Sequence, residues 1–157
     1  MRIVSMLAVG VMVLGSGLAW AQGAAVPMPP ISMQPGDIIA ARQGGMALNA
    51  TAVVAMKAVV DAGGDVKPLT NAARAMAKWA RAERALFPDG TQTGGNTRAR
   101  PEVWSDRAGY AAISDTLVAA ADKLVQMADA NDKPGFAAQF AAVTQACTAC
   151  HRGFRTQ

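Results

Sequence analysis

Residues 147–151 read Cys-Thr-Ala-Cys-His and hold both cysteines and the sole histidine of the chain. At C-x-x-C-H spacing two thiols can add to the vinyl groups of a porphyrin as thioethers, while the adjoining imidazole binds its iron. On a helix, positions i, i+3 and i+4 share one face, so both sulfurs and the imidazole can address one macrocycle. The pattern predicts one haem c, covalently bound through Cys147 and Cys150, with His151 as axial iron ligand. Three other chemistries fit less well. A thioredoxin-like redox pair opens a helix within a βαβ setting, whereas this pair lies seven residues from the C-terminus of a chain with helical patterning. Structural zinc takes four N or S ligands, and at most three are available. A C-x-x-C disulfide closes so short a loop that its entropic contribution is small, which leaves a core histidine beside such a bridge as the bland alternative.

The remaining sequence must supply the scaffold. The chain has 157 residues, 52% of them hydrophobic and 17% charged, enough for one core. Its formal charge is +4 and its pI near 9.5, yet the basic residues are scattered without aromatic interleaving, which disfavours nucleic-acid binding. An aromatic content of 5% argues against a sandwich or barrel. Arg2, the apolar stretch 3–19 and Ala19-Trp20-Ala21 have the form of a secretory signal peptide cleaved after Ala21, with an uncleaved anchor as the rival. The mature protein is then expected to be soluble, periplasmic and free of the membrane. Residues 22–36, with Pro27, Pro29, Pro30 and Pro35, form a non-helical lead-in before a single domain at 37–157.

Four amphipathic stripes follow. With Asp37 as N-cap, Ile39, Arg42, Met46, Asn49, Val53, Met56 and Val60 line one face of a helix that ends at Gly63-Gly64. The second helix, about 68–86, carries Leu69, Ala72, Met76, Trp79, Glu83 and Leu86. After a crossover loop at 87–101, a third helix presents Tyr110, Ile113, Leu117, Ala121, Leu124 and Ala128. The fourth starts from Asp132 with Pro134 in its first turn, and its stripe is Phe136, Phe140, Val143, Cys147, Cys150 and Phe154. This predicts an all-α, antiparallel four-helix bundle with haem held in the core near one end. The many alanines permit close helix approach and leave large apolar volume for the haem to supply.

R-Q-G-G-M at 42–46, L-F-P-D-G-T at 86–91, A-R-P-E-V-W-S-D at 99–106 and C-T-A-C-H-R-G-F-R at 147–155 together resemble the cytochromes c′, the class II c-type cytochromes with the haem motif at the end of the chain. The resemblance spans nearly all of the mature chain. It implies an up-down-up-down bundle and homodimerisation, with Arg155 close to the proximal imidazole and Met46 facing the vacant side of the iron. Arg42, a charge on a buried stripe, needs a partner, and a haem propionate is one; a snorkelling side chain is the other. Asn49 is expected to make an interhelical hydrogen bond. Met46 is either a bulky shield over a five-coordinate, high-spin haem or a true sixth ligand, and Arg42 with Gly44-Gly45 resembles the high-spin pattern. The leading expectation is a non-enzymatic protein that binds diatomic gases, chiefly NO and CO, and cycles between ferric and ferrous states with a redox partner protein. The alternative is a low-spin His151/Met46 electron carrier. Turnover is disfavoured because the only histidine is committed to iron and no acid–base cluster is visible.

Overall fold

The computed structural model describes residues 32–157. The expected signal peptide and most of the lead-in lie outside the described residues. Four long helices, α1 (Pro35–Asp61), α2 (Thr70–Ala82), α4 (Arg107–Ala130) and α5 (Lys133–Phe154), form a four-helix bundle; a one-turn helix α3 (Glu102–Ser105) precedes α4. Each long helix packs on two others, α1 on α2 and α5, and α4 on α2 and α5, closing a ring around the core.

Local chemistry sets the helix ends, with one correction. Asp37 is not the N-cap of α1: Gln34 is, and Asp37 stands at N3, where its carboxylate accepts the Gln34 N–H at 3.0 Å in a capping box. Pro35 therefore opens the helix at N1, where its missing N–H costs nothing, and the lead-in ends two residues earlier than expected. Asp132 does cap α5 as predicted, its side chain accepting the Gly135 N–H at 3.0 Å, and Asp106 caps α4 in the same way through Gly109. Between them, Asn131 takes the left-handed conformation that ends α4, and its side chain accepts the N–H groups of Val66 and Lys67, tying together the two loops at that end.

The expected second helix is three pieces, the 3₁₀ turns Lys67–Leu69 and Glu83–Leu86 flanking α2. Its buried face is also rotated from the predicted stripe. Thr70, Ala73, Met76, Ala77, Ala80 and Glu83 are buried, whereas Leu69, Ala72, Trp79 and Leu86 are only half-buried. The reason is alanine: α2 packs on α4, with Ala73, Ala77 and Ala80 of α2 and Ala121 and Ala128 of α4 all buried, and small side chains at a contact shorten the distance between helix axes. Along the rim of this seam Arg74 pairs with Asp129, Arg81 with Asp122 and Arg84 with Asp115, numbers that run in opposite senses as antiparallel helices require. Gly45 serves the α1–α2 contact: a Cβ there would lie 2.1 Å from the Trp79 ring, so only glycine lets the indole rest on the α1 backbone.

The stripes of α1, α4 and α5 face inward as predicted, with Ile39, Arg42, Met56, Tyr110, Leu124, Phe136, Phe140 and Val143 all buried. The core is in two parts. The larger joins Met56, Val66, Met76, Leu124, Phe136, Phe140 and Val143 and is closed. The smaller gathers Phe87, Val103 and Tyr110, with Trp104, Cys150 and Phe154 packed against it. A cavity opens at this second end.

Candidate functional site

The second end is assembled by the crossover loop. Arg42 reaches from α1 into residues 86–97 and binds there with all four of its terminal N–H groups: Nη1 donates to Leu86 O (3.2 Å) and Thr91 Oγ1 (2.9 Å), and Nη2 to Thr91 O (2.8 Å) and Thr97 Oγ1 (2.7 Å). Its guanidinium also lies over the Phe87 ring at 4.6 Å, a cation–π contact. Neither the propionate nor the snorkelling alternative anticipated this arrangement. Arg42 is the clamp that folds the loop down, and only its Nε–H remains for another partner. The loop then binds the chain terminus: Arg100 N–H donates to Phe154 O (3.0 Å) and Thr156 N–H to Arg98 O (2.8 Å), around a bridge between Ala99 and Arg155. Arg155 is therefore extended backbone just past α5, not a further helical turn.

These elements enclose a cavity of about 480 Å³. Of the residues singled out from sequence, Arg42, Met46, Cys150, His151 and Arg155 all line it. Cys147 does not; one turn back on α5, it packs against the closed core. Phe87, Val103, Tyr110 and Phe154 make the wall apolar, in a chain of edge-to-face contacts from Phe154 to Tyr110 (5.2 Å), Tyr110 to Phe87 (5.3 Å) and Phe87 to Trp104 (5.9 Å). Arg42, Arg98 and Arg155 are the charged lining residues, so the cavity is apolar in its wall and cationic at its polar points. Asn49, expected to bond across helices, instead donates to Gly45 O within α1 at 2.9 Å.

Electrostatics follows from this enclosure. Burial, reinforced by Arg155 and Arg98, lowers the His151 pKa and favours the neutral imidazole, the form that can donate a lone pair to a metal. Burial likewise pushes the Cys147 thiol up, and burial together with the charge of Glu83 pushes Cys150 up to about 11, so neither sulfur is a free thiolate at neutral pH. No disulfide joins them. Among the described residues no three His, Cys, Asp or Glu side chains converge as a bare metal site. Two buried side-chain polar atoms among the described residues lack a hydrogen-bond partner, Thr70 Oγ1 and Arg155 Nε, and the second belongs to a residue of the cavity lining, a donor awaiting an acceptor.

Sequence reasoning missed Arg98, Tyr110 and Glu83 as parts of the site. Arg98 stands immediately before the 99–106 stretch and carried no periodicity. The visible signal is Glu83, an acid on a predicted buried stripe.

Against known proteins, a family model described as cytochrome c′ matches residues 37–155. The cytochrome c′ of Rubrivivax gelatinosus is 38% identical over 128 residues, covering 78% of this chain and 96% of that protein. A ferrous variant of the Alcaligenes xylosoxidans cytochrome c prime with bound NO superposes with a TM-score of 0.73 at 28% identity, covering 81% of this chain and 99% of the other. A further cytochrome c′ structure, described as showing an unusual ligand-controlled dimer dissociation, gives a TM-score of 0.76 at 25% identity, over 81% of this chain and all of that one. The chain belongs to the cytochrome c′ family.

Proposed function

We propose that this chain is a periplasmic c-type haem protein that binds diatomic gases at a five-coordinate, high-spin iron and undergoes ferric/ferrous electron transfer. The carrying observation is that an apolar, arginine-edged cavity gathers Cys150, His151 and an orphaned Arg155 donor at one end of a cytochrome c′ bundle. The residues fit the group. Cys150 on the cavity lining and Cys147, one turn back on α5 at its inner edge, would hold it as thioethers, and His151, kept neutral, would ligate its iron. Arg155, Arg98 and the remaining N–H of Arg42 would meet its propionates. When bound, haem supplies an iron centre that takes a gas ligand and exchanges one electron.

Met46 faces the cavity from α1, half-buried and four residues beyond the Arg42 clamp. In this proposal it shields the iron without binding it, and an incoming gas must push a packed side chain aside. That costs about 1–3 kcal/mol, or roughly ten- to a hundred-fold in affinity. The bound NO of the Alcaligenes relative supports gas binding, and the dimer described for the other relative supports a homodimer here. No described helix is long and apolar enough to cross a membrane. The signal peptide at 1–21 belongs to the same proposal, as does a role in binding and electron transfer rather than turnover, with a redox protein as partner.

Optical spectra test the ligation. The wild type is expected to be high-spin in both oxidation states, and Met46→Ala to raise CO affinity and on-rate without changing the spin state. A low-spin wild type that Met46→Ala converts to high-spin would establish the His151/Met46 electron carrier instead.

A further inference from the structure

Glu83 is buried to 3% exposure, yet among the described residues no lysine or arginine pairs with it, whereas Asp115, Asp122 and Asp129 on the outer seam each have an arginine. Its partners are two neutral hydroxyls from α4: Tyr110 Oη donates to Oε2, and Ser114 Oγ donates to Oε1 at 2.7 Å. Each hydroxyl can donate to a different carboxylate oxygen, so the pocket is equipped to hold Glu83 as a carboxylate. Two hydroxyls satisfy its lone pairs but bring no opposite charge into direct contact with it, which is costly for a buried carboxylate.

The location gives that charge a use. The Tyr110 ring is part of the cavity wall, so the carboxylate stands one side chain behind it. Its field reaches the attachment point, since Glu83 follows burial among the causes that raise the Cys150 thiol. In a poorly solvated interior such a field is weakly screened. The cations facing this end are Arg42, which acts on Tyr110, and Arg98 and Arg155, which act on His151; Glu83 is the anion set against them.

We propose that Glu83, fixed by Tyr110 and Ser114, is the buried counter-charge of the haem iron, favouring the ferric state and holding the midpoint potential down. The inference rests on the haem reading above. Reduction brings one electron from an external one-electron donor and removes one positive charge from the cavity, so a nearby carboxylate opposes it. Glu83 touches no reacting atom and acts through its field alone.

The test is potentiometric titration of haem-loaded wild type and Glu83→Gln, after intact mass has established covalent haem in both. A wild type without covalent haem overturns the haem reading itself. With haem present, Glu83→Gln is expected to shift the redox equilibrium about tenfold toward ferrous, a positive shift of about 59 mV for a one-electron couple, with the spin state unchanged. If Glu83→Gln does not accumulate folded, the triple variant Glu83→Leu, Tyr110→Phe, Ser114→Ala carries the measurement, because removing all partners leaves no orphaned polar group. The same positive shift supports the inference, and a midpoint equal to that of wild type overturns it.

Discussion

The closed core around Leu124 and Phe136 and the cavity end around Tyr110 and Cys150 are built from the same helices, but they differ in what completes them. At the closed end every large side chain is met by another: Leu124, Phe136, Met56 and Val143 have no exposed surface. At the cavity end the aromatic residues make a wall around about 480 Å³, and the crossover loop is held largely by polar contacts, above all the four Arg42 bonds. One end carries the stability of the bundle; the other is shaped to receive something.

Substitutions separate the two ends. The largest effect is expected from Leu124→Ala or Phe136→Ala, each about 3–5 kcal/mol less stable by denaturant unfolding, and by the same amount with or without haem. A loss that depended on haem would merge the two regions. Arg42→Met is expected to cost about 1.5–3 kcal/mol, since charge-assisted bonds to buried acceptors are lost. Amide exchange should accelerate at residues 87–100 while remaining slow at Leu124 and Phe140.

A pH effect belongs to the cavity end alone. The folded chain lowers the His151 pKa from an ordinary value of 6.5, through burial and then Arg155 and Arg98. Below 6.5 the unfolded chain binds more protons than the folded one, so this contribution to stability is present above 6.5 and is lost as pH falls toward the lowered folded value. Haem-free protein should lose stability over that window, and His151→Asn should flatten this part of the profile. The smallest effect is expected on the outer seam, where Arg81→Ala should change stability by about 0–1 kcal/mol, vanishing in high salt.

The sequence revealed these two ends unequally. Stripes of large apolar residues were legible because packing demands their period, as at Ile39, Met56, Leu124 and Phe136. The α2 face was misread because its contacts are alanines, and a search for large side chains misses a face chosen for closeness. The C-x-x-C-H motif and the positions of Arg42, Met46 and Arg155 were legible from local patterns. What Arg42 binds was not, because Thr91 and Thr97 come within reach only when the loop folds back 49 and 55 residues along the chain. The pairing of Glu83 with Tyr110 and Ser114 is equally non-local, 27 and 31 residues apart.

The central claim is that the cavity end is completed by haem bound through α5. Intact mass of the protein exported from cells with a haem-attachment pathway tests it most directly. The expected result is a chain beginning at Gln22 and carrying one covalent haem that survives acid extraction, with the modification lost when Cys147 and Cys150 are both changed to serine. An unmodified mature chain from such cells, with both thiols free, would contradict it.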